Sequence, residues 1–124
     1  LWLCYTILIS LIYYNDEYLS VLDEFFKEVM DNGINNVVVD LRNIGGGNSM
    51  VGNAFMRSID VDSYRTWDVD ERYGWYLLKQ KNIVNQNKKK ELVFDGNIYV
   101  LTSVQTFSSA MDFAGVDVES VISL

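Results

Sequence analysis

The chain of 124 residues has no histidine, no proline and a single cysteine, Cys4. One cysteine cannot pair within the chain, so the sequence indicates neither an oxidising nor a reducing compartment. Without histidine a conventional zinc site is not expected, and the usual imidazole base of a serine hydrolase is missing as well. We therefore expect no metal and no other cofactor.

Basic residues are scarce. The chain has ten lysines and arginines against 17 aspartates and glutamates, which gives a net charge of −7. Polyanions repel such a chain, so nucleic acid and anionic membrane surfaces are disfavoured as partners. Residues 1–14 carry no charge, but they are too few to cross a bilayer and no basic signal-peptide segment precedes them. We expect a buried strand over residues 1–9, with a membrane-associated remnant of an anchor as the alternative.

Hydrophobic residues make up 49% and aromatic residues 14% of the chain, which excludes a disordered tail. The length fits one domain, residues 1–124, and because the first residue is leucine we expect an incomplete fragment of a longer core. Asn15 or Asp16 can cap a helix that continues to about residue 32, where Gly33 ends it. A helix between two apolar strands predicts a parallel strand–helix–strand unit and an α/β fold.

The central feature is the stretch VVVDLRNIGGGNS, residues 37–49. Its valines predict a buried strand, and Gly45, Gly46 and Gly47 permit backbone conformations closed to other residues. A helix predicted from Ser49 to about residue 60 would add unpaired N–H groups and a positive dipole end. The loop therefore predicts a site for an anion, either a phosphate or the oxyanion of an acyl transfer. Both nucleotide-binding glycine motifs fail at the residues that follow the glycines.

A second segment favours the oxyanion. Residues 97–114, NIYVLTSVQTFSSAMDFA, join an apolar strand to a polar turn and a short helical pattern. Together the two segments resemble the tail-specific, or carboxyl-terminal processing, serine peptidases. That family has a strand ending Asp-Leu-Arg-x-Asn-x-Gly-Gly and, later, Ser-Ala-Ser/Ala-Glu at the head of a helix. Residues 40–47, DLRNIGGG, match the first motif except at Ile44, and residues 109–112, SAMD, match the second with Asp112 in place of glutamate.

The resemblance implies both a site and a fold. It implies a nucleophile at Ser109, an oxyanion hole made by the N–H groups of Gly46 and Ala110, and substrate contacts at Gly45, Gly47 and Ser108. It also implies a polypeptide substrate, a partial crotonase-like core in which strands and helices spiral together, and a protein exported from the cytoplasm or held in the cell envelope. The strand and helix pattern by itself would equally suit an open doubly wound sheet.

The general base is the missing part of this hypothesis. In the resembled family the base is a lysine that would fall beyond residue 124, or a histidine upstream. Lysines 79–90 precede Ser109 in polar surroundings, unlike a desolvated base. Two functions stay open: a serine endopeptidase core that is inactive without its base, or a non-catalytic relative that binds a peptide or an apolar ligand. A plain helix N-cap is a further interpretation of Ser109.

The remaining signals are weaker. Residues 61–87 mix acidic and aromatic residues, which we interpret as a surface excursion with aromatic anchors, since the spacing lacks the pattern of a calcium-binding loop. Residues 88–90, three lysines, predict solvated charge before a strand. Arg42 is expected to pair with Asp40 rather than with a substrate carboxylate.

Overall fold

The computed structural model describes residues 6–7, 14–66, 69–81, 83–116 and 121–123. In chain order the elements are β1 (Thr6–Ile7), α1 (Asp16–Asp31), β2 (Asn36–Asp40), α2 (Ser49–Met56), β3 (Ser63–Arg65), β4 (Val69–Tyr73), β5 (Tyr76–Gln80), β6 (Val84–Gln86), β7 (Asn97–Leu101), α3 (Ser109–Ala114) and β8 (Val121–Ser123). This mixture of helices with parallel strands confirms the predicted α/β class.

The main sheet has four parallel strands in the order β1, β2, β7, β8. β2 pairs with β7 along its whole length, from Asn36 opposite Asn97 to Asp40 opposite Leu101. Of the strand predicted over residues 1–9, only Thr6–Ile7 is described, and the other seven residues lie outside the described part of the chain. No pattern in the sequence predicted β8.

The first helix begins and ends where the sequence predicted. The side chain of Asn15 accepts a hydrogen bond of 2.8 Å from the N–H of Tyr18, which satisfies one of the unpaired donors of the first turn. At the other end Gly33 has a φ of +63°, the left-handed conformation that commonly follows a helix. The buried face of α1 consists of Leu22, Phe25, Phe26 and Val29.

The three helices meet through phenylalanine rings. The ring centroid of Phe26 in α1 lies 5.2 Å from that of Phe55 in α2, which lies 5.3 Å from that of Phe113 in α3. Aromatic rings at this spacing attract one another beyond the burial of their area. The core is completed by fully buried strand residues, namely Val37, Val39, Ile98 and Val100. This packing fixes α2 and α3, the two helices that follow the glycine and serine motifs, relative to each other.

The second helix is shorter than the sequence predicted, because it ends at Met56 and not near residue 60. Beyond it the chain pairs with Phe94 instead of continuing the helix. The N–H of Phe94 donates to the carbonyl of Ser58 at 2.9 Å, and the N–H of Asp60 donates to the carbonyl of Phe94 at 2.9 Å. Ile59 is buried, as its place in the apolar pattern predicted. It lies in a β-bridge to Phe94, however, and not in a helix.

Residues 61–87 form two antiparallel pairs, β3 with β6 and β4 with β5. The prediction of aromatic anchors is wrong for the β4–β5 hairpin, since Tyr73, Trp75 and Tyr76 are 62%, 103% and 65% exposed. A two-stranded hairpin has no second layer of its own to bury side chains. Tyr64 of β3 is half-buried and packs against the core.

Lys88 and Lys89 are exposed and Lys90 is half-buried, and Lys89 and Lys90 also form ion pairs that the sequence did not predict. The Nζ of Lys89 lies 2.8 Å from an oxygen of Asp60 and 2.6 Å from one of Asp62, and Lys90 pairs with Asp23 of α1. Hydrogen bonds to Asp60 and Asp62 raise the pKa of Lys89 to about 12. These ion pairs attach the segment before β7 to its neighbours.

Within the described residues, none of the helices combines the length and the apolar character needed to cross a bilayer. In the same part of the chain, no three potential metal-ligating side chains gather at one point.

Candidate functional site

The glycine loop and the serine turn lie side by side at the carboxyl ends of β2 and β7. Because the strands are parallel neighbours, their last residues, Asp40 and Leu101, are opposite each other. The N–H of Leu41 then donates to the carbonyl of Leu101 at 2.9 Å, and the N–H of Phe107 donates to the carbonyl of Ile44 at 3.2 Å. The two motifs therefore meet in space, as their placement after neighbouring strands predicts.

Gly46 is the point of closest approach between the two loops. Its φ is +113°, a conformation that residues with a Cβ rarely adopt. A Cβ placed on Gly46 would lie 2.6 Å from Cβ of Ser108, 3.2 Å from its Oγ and 3.0 Å from the carbonyl oxygen of Phe107. The backbone of Gly46 thus lies directly against the side chain of Ser108, with Gly45 and Gly47 on either side of it along the chain.

Ser108 has an unusual backbone conformation, with φ 55° and ψ −132°. It is the only non-glycine residue with positive φ in the described part of the chain. Residues forced into such regions cost about 1–3 kcal/mol each and cluster at functional sites. Ser108 occupies the N-cap position of α3, but its side chain makes no capping hydrogen bond, and the residue is exposed. Its hydroxyl is therefore not used to stabilise the helix.

Ser109 and Ala110 are placed differently from Ser108. Ser109 is the first residue of α3 and not its N-cap, and only 6% of its surface is exposed. Its Oγ is enclosed and has no hydrogen-bond partner among the described residues. Ala110 is fully buried. The structure thus brings Gly46, Ser108 and the first turn of α3 together, and of the two serines it is Ser108 that faces solvent.

Several backbone donors at the junction are available. Within the described residues, the N–H groups of Gly46, Ser109 and Ala110 donate to no protein acceptor. For Ser109 and Ala110 the reason is their position in the first turn of a helix, where backbone N–H groups have no partner one turn earlier. By contrast, the N–H groups of Met111 and Asp112 both donate to the carbonyl of Ser108, at 2.8 and 3.0 Å.

Known proteins share the sequence pattern of this chain. A model of peptidase family S41 matches residues 8–117, which is most of the chain. The chain belongs to peptidase family S41. The resemblance of its two motifs to the carboxyl-terminal processing serine peptidases is thereby confirmed.

Solved structures resemble this S41 chain as well. A photosystem II D1 C-terminal processing protease has a TM-score of 0.53 and 23% identity, and the match covers 82% of this chain and 25% of that one. A lipoprotein from Streptococcus agalactiae has a TM-score of 0.49 and 22% identity over 97% of this chain and 44% of that one. The first likeness shows a shared fold, and the chain spans less than half the length of either structure. A search of curated proteins found no significant match.

The Asp40–Arg42 pair shapes the S41 glycine loop, as the sequence predicted. The Nε and Nη2 of Arg42 donate to the two carboxylate oxygens of Asp40 at 2.9 and 2.6 Å, and the N–H of Arg42 adds a third bond at 3.0 Å. These hydrogen bonds from Arg42 lower the pKa of Asp40 to about 2. The charged pair holds the first turn of the loop in one geometry.

Two residues that the sequence interpretation missed join the loops, Ser103 and Thr106. The hydroxyl of Thr106 donates to the carbonyl of Leu41 at 2.8 Å and accepts from the N–H of Ser103 at 2.9 Å. The hydroxyl of Ser103 donates to the carbonyl of Arg42. Thr106 is buried, so these bonds are shielded from water. A serine and a threonine three residues apart after a strand are a recognisable signal of side chain to backbone bonding.

Several lysines of this S41 chain are engaged in ion pairs. Lys89 pairs with two aspartates and its pKa is raised, Lys90 pairs with Asp23, and Lys79 lies 3.8 Å from Asp70. A lysine with a raised pKa keeps its proton at neutral pH and cannot accept another one. The chain has no histidine. The raised pKa of Lys89 is the opposite of what a neutral lysine base requires.

Proposed function

We propose that this S41 chain supplies the nucleophile and the oxyanion hole of a serine peptidase that hydrolyses peptide bonds through an acyl-enzyme. The observation that carries the proposal is the contact between an exposed, strained serine and a glycine whose N–H has no acceptor among the described residues. A strained turn between a strand and a helix is the usual way of presenting a nucleophilic serine. The substrate would be an extended polypeptide, cleaved near its carboxyl end.

We assign the nucleophile to Ser108, the neighbour of the serine that the motif indicates. Three observations support Ser108 over Ser109: its exposure, its strained backbone and its contact with Gly46. A nucleophile must reach the carbonyl carbon of a substrate, and the enclosed Oγ of Ser109 lacks access to it. The shift by one residue also moves the oxyanion hole. Its donors would be the N–H groups of Gly46 and Ser109, with that of Ala110 next in the same turn.

The proposed reaction has two steps. The Oγ of Ser108 attacks the scissile carbonyl while a base takes the hydroxyl proton, and the carbonyl oxygen becomes an oxyanion held by the N–H donors. Collapse of this intermediate breaks the C–N bond, and the leaving amine takes the proton from the base. Water then attacks the ester by the same route, which releases the carboxylate product and restores the hydroxyl.

We propose that the base is supplied from outside these 124 residues. The absence of histidine and the ion pairs of Lys79, Lys89 and Lys90 support this assignment. On this proposal the 124-residue chain by itself does not hydrolyse peptides. It would be one part of a single peptidase domain with a crotonase-like spiral, which fits a match covering 82% of this chain but 25% of the processing protease.

The test is labelling by a fluorophosphonate, which reacts with activated serine hydroxyls. We expect no labelling of the 124-residue chain and clear labelling of a longer protein that contains it together with the base. In the longer protein Ser108→Ala should abolish labelling, since loss of the nucleophile costs several orders of magnitude in rate. Ser109→Ala, the matched control one residue away, should keep it.

Three other labelling results would contradict parts of the proposal. Labelling that survives Ser108→Ala but not Ser109→Ala would return the role of nucleophile to Ser109. Labelling of the 124-residue chain would refute the external base and direct attention to its own lysines. A longer protein that no fluorophosphonate labels would refute the peptidase and leave a non-catalytic relative that binds peptides.

A further inference from the structure

The buried hydroxyl of Thr106 joins the two loops of the proposed active site. It donates to the carbonyl of Leu41, at the start of the glycine loop, at 2.8 Å and accepts from the N–H of Ser103 at 2.9 Å. We call these two hydrogen bonds the Thr106 bridge. Thr106 is only 7% exposed, so water has little access to either bond.

The carbonyl of Leu41 accepts a second hydrogen bond, which fixes the glycine loop. Its donor is the N–H of Ile44 at 3.1 Å, and this bond closes the turn over residues 41–44 just before the three glycines. The carbonyl of Ile44 in turn accepts from the N–H of Phe107 at 3.2 Å. Hydrogen bonds from Thr106 and Phe107 therefore hold both ends of this turn against the serine loop.

The Thr106 bridge is close in sequence to the contact between Gly46 and Ser108. Thr106 lies two residues before Ser108, and two residues span at most about 7 Å. Gly46 lies two residues after Ile44, and a Cβ on it would lie 2.6 Å from Cβ of Ser108. The chain between the bridge and the proposed nucleophile is therefore too short to absorb a displacement of the bridge.

The proton of the Thr106 hydroxyl is already engaged in this bridge. A threonine hydroxyl has one proton, and here the carbonyl of Leu41 accepts it. The side chain is also buried, so it does not reach a substrate. Thr106 can therefore act on the reaction only through the two loops that it joins.

Small displacements at such a site have large effects on rate. A donor of an oxyanion hole must lie about 3 Å from the oxygen that becomes charged. A displacement of about 1 Å, caused by a change outside the reacting groups, can lower a rate about 100-fold. Short hydrogen bonds shielded from water, like those of the Thr106 bridge, are the kind of support that holds a site within this tolerance.

We infer that Thr106 is a positioning residue of the proposed peptidase. Its hydroxyl sets the separation between Ser108 and the N–H of Gly46, and with it the geometry in which the oxyanion is held. The inference rests on the proposed function for the reaction whose groups are positioned. It gives Thr106 a role in the reaction rate that is separate from its contribution to stability.

The first measurement is the rate of fluorophosphonate labelling of the longer protein that contains the base. Thr106→Val keeps the shape of the side chain without its hydroxyl. It should lower the maximal labelling rate about 10- to 100-fold and leave the concentration for half-maximal rate unchanged. Thr106→Ser keeps the hydroxyl and should restore most of the rate.

Ile34→Val is the matched control for stability. It removes one methylene group from a buried side chain before β2, at the end of the strand opposite the loops. A change of this kind destabilises a fold by a small amount, similar to that expected for the loss of one hydrogen-bonded hydroxyl. Ile34→Val should therefore lower the midpoint of urea unfolding but leave the labelling rate unchanged.

The second measurement needs no activity. In the ¹⁵N-labelled 124-residue chain, Thr106→Val should shift the amide resonances of Gly46 and Ser109 more than Thr106→Ser does, because these resonances report the local backbone geometry. Ile34→Val should leave both resonances unchanged. Thr106→Ala removes the hydroxyl without placing a methyl group against the carbonyl of Leu41, and it replaces Thr106→Val if that variant does not fold.

The results separate this inference from the proposed function. Equal loss of labelling in Thr106→Val and Ile34→Val would overturn the inference, because stability alone would then explain the loss. A labelling rate as low in Thr106→Ser as in Thr106→Val would overturn it too, since the hydroxyl would not be the group that acts. If the wild-type longer protein is never labelled, the peptidase is refuted and the amide resonances decide about Thr106. Unchanged resonances of Gly46 in Thr106→Val would then refute the positioning as well, whereas shifted ones would support positioning of the loops in a non-catalytic relative.

Discussion

The strained backbone of Ser108 leads to a prediction about stability that needs no activity. In both Ser108→Ala and Ser108→Gly the hydroxyl is lost, so the two variants differ only by a methyl group on Cα. Alanine must keep the positive φ of 55° at the same cost as serine, whereas glycine adopts it freely. The glycine variant should therefore be the more stable of the two.

The magnitude follows from two opposing terms. Relief of the strained conformation contributes about 1–3 kcal/mol in favour of glycine. The greater freedom of glycine in the unfolded chain offsets about 0.4–1 kcal/mol of this gain. The net advantage of Ser108→Gly over Ser108→Ala is then about 1 kcal/mol in the free energy of unfolding, with the sign fixed by the backbone.

Ser109 provides the matched control, because it lies in helical conformation at the start of α3. There Ser109→Gly should be less stable than Ser109→Ala, by up to about 1 kcal/mol. Urea unfolding followed by circular dichroism gives all four free energies under one set of conditions. If Ser108→Gly is less stable than Ser108→Ala, as expected at residue 109, the strained turn is refuted. The main argument for Ser108 as the nucleophile is then lost with it.

Three further predictions concern the loops. Gly46→Ala should destabilise the fold by about 2 kcal/mol or more, because the added Cβ would collide with Ser108 and a φ of +113° is strained for alanine. The same variant should abolish fluorophosphonate labelling of the longer protein. An unchanged midpoint of urea unfolding would contradict this prediction. Asp40 has a pKa lowered to about 2, so the stability it contributes should be present above about pH 4 and lost as the pH falls towards 2. The difference in unfolding free energy between wild type and Asp40→Asn should shrink over that window, and a constant difference would contradict the pairing. Thr106→Val should cost about 0.5–1.5 kcal/mol, because it removes the hydroxyl that accepts from the N–H of Ser103 and donates to the carbonyl of Leu41, which then keeps only the N–H of Ile44. Urea unfolding measures the loss.

The strands and loops of the site could be predicted because their signals are local. Three consecutive β-branched valines make β2 recognisable. Asn15 and Gly33 mark the ends of α1 by side-chain and backbone chemistry that acts within a few residues. Three glycines followed by a helix start likewise indicate a loop for close approach. Placement of the two loops together then follows from parallel strands, whose ends meet at one edge.

The choice between two adjacent serines could not be predicted in the same way. Both have the same side chain, and a short motif can be aligned with either register. What separates Ser108 from Ser109 is the turn into α3 and the contact with Gly46, which arise from tertiary packing. The exposed tip of the β4–β5 hairpin and the ion pairs of Lys89 were missed for the same reason, since composition does not reveal the partner of a side chain.

The pairing of β2 with β7 also has a consequence for how the protein is made. Asn36 and Asn97 lie side by side although 61 residues separate them, so the sheet that joins the two loops is built from contacts distant in sequence. Such contacts form slowly, because a long loop must close before they repay its entropy. A chain still emerging from the ribosome contains the glycine loop long before Ser108 has been synthesised. The proposed hydrolytic centre can therefore form only after β7 and α3 have been synthesised and have docked against β2.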